Sequence, residues 1–366
     1  VISDLWVANS IENSSRGFFK CATLFTNILG IALVTKRDLK KVALLVFSYS
    51  IAVIVLPGWL TRSNEFSALS DVAQWKLGFA SAASSLVASG SVFLMPSSWL
   101  FQILSFGGVG ILQIILDVRS LAAVNLLCAS VIGGKGATLI RGVVGRLAIV
   151  AIFLLGAGIV LFVMYGRTSR DYSERREDSN TWRFASLFAA FSAIESSPII
   201  GHGSWANSAS ALDERDTIIR SRGRSRDVAD NVFYVHSQLF QAWYEGGILG
   251  IAFPVVFGLL LLSAWWRVFV ILPRSRYTGM NMFVLTTAVW SLFFSPFNGA
   301  HRIEITLAAA VIVGLEARRS KAEDMADVGT IRWASAAAPT IADGPMVLIT
   351  HNRVRGIYRS RNRVQE

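Results

Sequence analysis

Arginine, histidine and glutamate fall in one part of this chain at spacings that could do chemistry. Arg183 stands fifteen residues before Pro198, which opens the run Pro198, Gly201, Gly203. His236 and Ser237 are followed by nine residues and then Gly247, with Gly250 beyond it and Glu245 just ahead of it. Arginine stays charged at physiological pH and donates two parallel hydrogen bonds to phosphate. Imidazole titrates at about 6.5 and can take a proton from a hydroxyl near neutrality. His202, between two glycines, has no motif around it and reads as structural.

Three elements must position these groups. From Asn180 to Glu195, Phe184, Leu187, Phe188, Phe191 and Ile194 recur at helical spacing. This predicts an amphipathic helix lying on a membrane surface or on a helical bundle. Pro198, Gly201 and Gly203 end that helix in a turn. A Ser- and Ala-rich stretch and the run Arg220, Arg222, Arg224, Arg226 follow, and both read as a mobile, solvated loop. A second helix starts near His236, with His236, Phe240, Trp243 and Gly247 on one face. Nine steps of about 100° put Glu245 on the opposite face from His236 unless the helix breaks near Gly246 and Gly247.

Around this polar interval the chain is apolar. It has 366 residues, 53% hydrophobic and 16% charged, against roughly 25% charged in soluble domains. Apolar runs near 20 residues suit a hydrocarbon core of about 30 Å. The expected class is all-α, a multi-pass transmembrane bundle with spans near 17–35, 42–60, 76–95, 98–116, 119–134, 147–165, 247–271, 279–297 and 302–316. Cys21 and Cys128 lie in apolar segments, which points away from a disulfide or a metal site. The net charge of +11 reflects loop charge, not nucleic-acid binding. Loops 36–41, 135–146 and 272–278, with the residues flanking the last, and the tail 317–366 are net basic, whereas 61–75, 117–119 and 166–235 are not. The positive-inside rule therefore puts the first set in the cytoplasm and the second outside. No cleavable signal peptide stands out, and an outer N-terminus suits an upstream segment before Val1. The expected organisation is helices one to six in 1–165, a large extracytoplasmic loop in 166–235, helices seven to nine in 236–316 and a basic, disordered tail in 317–366 near membrane lipids.

Over roughly 76–316 the sequence resembles the O-antigen ligase and polysaccharide polymerase superfamily. The third family motif, His, then Asn, Ser or Gln, nine residues and Gly-x-x-Gly, is matched by His236, Ser237, Gly247 and Gly250, with the frequent Glu at Glu245. The second, Arg, a helix and Pro-x-x-Gly-x-Gly, is matched by Arg183, Pro198, Gly201 and Gly203, with Leu187 where the family often has an aromatic. The first, Ser-Arg near a span end, departs here to Val118 and Arg119.

The resemblance implies a bacterial inner-membrane glycosyltransferase with its site on the periplasmic face. It moves a glycan from an undecaprenyl-diphosphate carrier to an acceptor hydroxyl on a lipid or glycan, inverting the anomeric carbon without a metal or cofactor. By resemblance, Arg183 and Arg119 balance the leaving diphosphate and His236 is the base. Gly201, Gly203, Trp243 and Glu245 are candidates for substrate contact. The plainer readings are turn formation for the glycines, interfacial anchoring for Trp243 and a structural role for Glu245. Arg119 could instead snorkel to the interface, and His301 and Arg302 could join the site. No Asp-x-Asp pair supports a metal-bridged nucleotide sugar. A transporter or flippase and a non-catalytic scaffold of polysaccharide export are the competing classes. Ligase and polymerase differ only in the acceptor.

Overall fold

The computed structural model describes residues 2–7, 10–60, 79–94, 98–116, 118–136, 158, 170–204, 208–223, 233, 235–295 and 300–336. All of its regular structure among these residues is helical: α1 (Ile2–Trp6), α2 (Ile11–Thr35), α3 (Leu39–Leu60), α4 (Ala80–Leu94), α5 (Trp99–Ile115), α6 (Arg119–Gly136), α7 (Arg170–Ser196), α8 (Ala209–Ser221), α9 (Gln238–Trp266), which runs into a π-helical turn (Arg267–Ile271), α10 (Thr278–Phe294) and α11 (Ala300–Ala336). Helices stand at eight of the nine expected spans; the other, 147–165, lies outside the described residues apart from Gly158.

Residues 1–317 form one unit. Its main core joins α3, α4, α5, α6, α9, α10 and α11 through side chains such as Phe106, Ile132, Leu261, Met280 and Leu285. Small residues let these helices approach closely. A Cβ at Gly279 would meet Phe106 at 2.7 Å. Ser84, Gln113 and Asn125 pair with one another inside the core, because an unpaired polar group in an apolar medium is costly. Gln113 Nε2 donates to Ser84 Oγ at 2.6 Å, and Asn125 Nδ2 donates to Gln113 Oε1 at 2.9 Å.

The outward faces of α2, α5 and α9 are apolar, with Leu33, Leu104, Ile111, Leu249 and Leu259 among the most exposed side chains. Such a surface suits hydrocarbon better than water. The 25-residue α2 and the 34-residue run Gln238–Ile271 are long and apolar enough to cross a membrane; α4, α5 and α10 are apolar but shorter.

The bundle has two distinct ends. Lys135 Nζ donates to the Leu272 carbonyl, and Arg267 pairs with Glu316. These contacts gather the late part of α9, the end of α6 and residue 316 of α11 at one end. At the other, Ser81 and Ser291 donate to Glu304, and Gln113 Nε2 also donates to the Ala80 carbonyl. The start of α6, at Arg119, and the start of α9 fall there too. Residues 318–336, in the second unit, continue as helix, where the sequence shows no helical stripe. Ala, Glu, Lys and Arg favour helix without needing an apolar face.

Candidate active site

The polar interval folds as a small helical layer with its own core of Ala189, Ala190, Ala193, Ile194, Ala211, Phe233, Val235 and Tyr244. In α7 the inward stripe is alanine, not phenylalanine. Ala185, Ala189, Ala190 and Ala193 are buried, whereas Phe184, Phe188 and Phe191 are 47%, 54% and 41% exposed. The expected helix is present, but its ring-bearing face turns outward, and the small alanines, with Ile194, make the close approach to α8 and α9. Phe184 stacks on Phe188, and Phe191 packs edge-on against Phe240 at 4.6 Å.

The stretch read as a mobile loop contains α8, whose N-cap Ser208 accepts from the Ala211 amide. Ala211, Arg215 and Ile219, four residues apart, form its buried stripe. Arg215 is 2% exposed, pairs with Asp216 at 3.0 Å and lies over the Trp182 ring at 5.0 Å. The i, i+8 spacing of Ala211 and Ile219, two helical turns apart, could have revealed this helix. An arginine in the middle of it hid the pattern.

The two glycine motifs are one structural device. Gly247 has φ 59° and ψ −150°, which breaks α9. That break frees the Tyr244 and Glu245 carbonyls and the Ile248 amide from helical partners, and buried backbone groups must be paired. The turn after α7 pairs all three. His202 N–H donates to Tyr244 O at 2.8 Å, Gly203 N–H to Glu245 O at 2.9 Å and Ile248 N–H to Ile199 O at 3.1 Å. The backbones touch so closely that a Cβ at Gly247 would lie 2.1 Å from the Ile199 carbonyl oxygen, and one at Gly201 would lie 2.5 Å from the Gly247 nitrogen. Gly201 and Gly203 have φ 78° and 88°. Packing of main chain on main chain therefore accounts for Gly201, Gly203 and Gly247 by itself.

Other side chains lock this clasp. Trp243 Nε1 donates to Pro198 O at 3.0 Å. His202 Nε2 donates to Ala193 O at 2.8 Å, and its ring stacks on Tyr244. From α1, Ser3 Oγ donates to Glu245 O at 2.9 Å, and Asp4 accepts from the Ser204 amide and hydroxyl. The sequence reading assigned nothing to α1.

His236 precedes α9, so it does not share a helix face with Phe240 and Trp243, and wheel arithmetic from His236 to Glu245 does not apply. The imidazole is exposed, flanked by buried Val235 and Ser237. Its pKa lies below the ordinary value. The protein packed around it thins its hydration, which is the larger cause, and the Arg183 guanidinium adds repulsion. The site thus holds the histidine neutral at neutral pH, with Arg183 near enough to act on it. Arg183→Gln removes the repelling cation. The His236 pKa then rises toward the ordinary imidazole value, read by NMR titration of the ring. Because Arg183 is exposed, high salt moves the parent in the same direction by screening.

Arg119 starts α6, half exposed, at the same end of the bundle as the Gly247 break. Glu245 accepts from Gln241 Nε2 at 2.5 Å and faces Lys20 at 3.8 Å. Beside it, α2 and α9 enclose a cleft of about 820 Å³. Its walls include Leu24, Phe25, Leu249 and Phe253, and Lys20, Gln238, Glu245 and Arg302 also line it. Arg302 is thus a cleft residue; the His301 side chain lies outside the described ones.

Residues 80–255 match the family model described as O-antigen ligase. No curated protein and no solved structure matches the chain. The matched segment runs from α4 through the first part of α9, so it takes in Arg119, the α7 helix, the glycine clasp and His236. Its agreement with the motif spacing and with the apolar helices leads to one conclusion: residues 80–255 match the O-antigen ligase family, and this match supports a membrane protein whose general function is glycan transfer.

Proposed function

We propose that the chain is a multi-pass inner-membrane glycosyltransferase that moves a glycan from undecaprenyl diphosphate to an acceptor hydroxyl at the extracytoplasmic face. The observation that carries this reading is the clasp that ties the turn after the Arg183 helix to the helix that follows His236, with the imidazole pushed toward its neutral form in part by the Arg183 cation. A base must be unprotonated to accept a proton, and a diphosphate leaving group needs a positive partner. His236 takes the acceptor hydroxyl proton as the acceptor oxygen forms its bond to the anomeric carbon. The carbon–phosphate oxygen bond breaks, and its electron pair leaves on the diphosphate. Attack from the side opposite the leaving group inverts the carbon.

Arg183, and Arg119 from the start of α6, balance the growing charge of the diphosphate without a metal. The apolar cleft between α2 and α9 suits a polyprenyl chain, with Lys20 and Arg302 among its lining residues. Gly201 and Gly203 serve by holding the turn. Trp243 has its N–H engaged, so contact with a sugar falls to its ring face. The net-basic loops support a cytoplasmic position for the Lys135 end and an outer position for the His236 end. The acceptor is either a lipid A–core sugar or a second lipid-linked repeat.

The test is incubation of membranes containing the chain with an undecaprenyl-diphosphate glycan and each acceptor. The expected result is a new glycosidic product with one released carrier diphosphate per bond. Donor that stays intact with every acceptor but crosses the bilayer of a vesicle would replace this reading with a flippase.

A further inference from the structure

We propose that Gln241 is a positioning residue for His236, aligned in turn by Glu245. The proposal rests on the base assigned to His236 above for its effect on rate, and on geometry alone for its effect on posture.

Gln241 grips the chain on both sides of His236. Its side-chain Oε1 accepts from the Val235 amide at 2.8 Å, and its backbone N–H donates to the Ser237 carbonyl at 2.9 Å. Val235 is fully buried and Ser237 is 3% exposed, so the exposed imidazole sits on a short segment pinned at both ends. Val235 lies three residues ahead of α9 and has no helical partner for its N–H. A buried N–H left alone costs about 1–3 kcal/mol, and Gln241 supplies the acceptor.

The orientation of the amide is forced. An amide N–H can only donate and an ionised carboxylate can only accept. Gln241 must therefore aim its oxygen at Val235 and its nitrogen at Glu245 Oε1, which lies 2.5 Å away. Gln241 and Glu245 are four residues apart on α9, before the Gly247 break, so they share a face. Glu245 is itself anchored, since its carbonyl accepts from Gly203 N–H and Ser3 Oγ. The chain of contacts runs from the glycine clasp through Glu245 and Gln241 to the backbone of His236. It gives Glu245 a task that does not require contact with the imidazole. The charged group that acts on His236 from a neighbouring element is Arg183 on α7; Glu245 reaches it only through Gln241.

The test uses the full-length chain in membranes and, for titration, in detergent. Gln241→Leu removes both side-chain bonds at similar volume. It should lower kcat roughly 10- to 100-fold, the scale of an ångström-level misplacement, with KM for donor and acceptor near the parent values. Glu245→Leu, which removes the acceptor for Gln241 Nε2, should fall with Gln241→Leu. A free His236 segment also drifts from Arg183. In Gln241→Leu the His236 titration should therefore move to higher pH, and adding Arg183→Gln should move it no further.

If Gln241→Leu does not fold, Glu245→Leu carries the same two measurements. Unchanged kcat and unchanged titration in a folded variant would overturn the proposal while leaving the glycosyltransferase reading intact. A chain without transfer activity would sink that reading, and the titration would still decide whether Gln241 positions the ring.

Discussion

His236→Ala lowers glycan transfer by roughly 10²- to 10⁴-fold, the usual contribution of a positioned general base. The expected loss lies in kcat, because the imidazole acts on a proton in flight and not on the binding of donor or acceptor. The fold is expected to survive. The Val235 amide and the Ser237 carbonyl are held by Gln241, not by the imidazole. The ring itself is exposed, so its loss opens no cavity. In the parent, activity should fall as pH drops through the His236 pKa, which lies below the usual imidazole value. That acid limb should vanish from the residual activity of the variant. Transfer rates measured at equal protein level, across pH, check both points. A variant with parental rate would remove His236 as the base.

Gly247→Ala is expected to do severe damage to the fold. The new Cβ would stand 2.1 Å from the Ile199 carbonyl oxygen, and the backbone there has φ 59°. A conformation almost confined to glycine costs other residues about 1–3 kcal/mol before any clash is counted. The Ile199 oxygen cannot move aside without giving up the Ile248 amide. We expect a large drop in folded yield and loss of transfer in what remains. Gly246→Ala is the control. A Cβ at Gly246 meets nothing within 4 Å, and alanine favours helix over glycine by about 1 kcal/mol. Yield and melting temperature of the two adjacent variants should diverge sharply. Equal yields would show that the break at Gly247 is not needed.

The parts of this site that could be read from sequence were those fixed by spacing. The intervals from Arg183 to Pro198 and from His236 to Gly247 carried the family resemblance, and the matched segment at 80–255 contains both. What the spacing hid was how the two intervals meet. A run of Pro-x-x-Gly-x-Gly announces a turn, but nothing in it says that its amides will serve carbonyls more than forty residues later. Helical spacing alone could not relate Glu245 to His236 for a related reason. Counting helical steps from His236 assumes a helix that starts two residues further on, at Gln238. The phenylalanines of α7 drew attention by size, yet size kept them off the crowded side, and the alanines between them make the contact. Arg215 was passed over because a charged residue rarely anchors a core; here Trp182, Phe233 and Asp216 surround it.

The clasp at the break in α9 is built from main-chain atoms on both sides. Three amides and three carbonyls hold it, and every residue except proline brings the same set. Apart from the glycines and the few side chains that lock it, the amino acids that line it can change without loosening the joint. The other side chains of this layer can be rewritten one at a time while the joint itself stays assembled. Such a division leaves the surrounding surface mutable and the joint fixed.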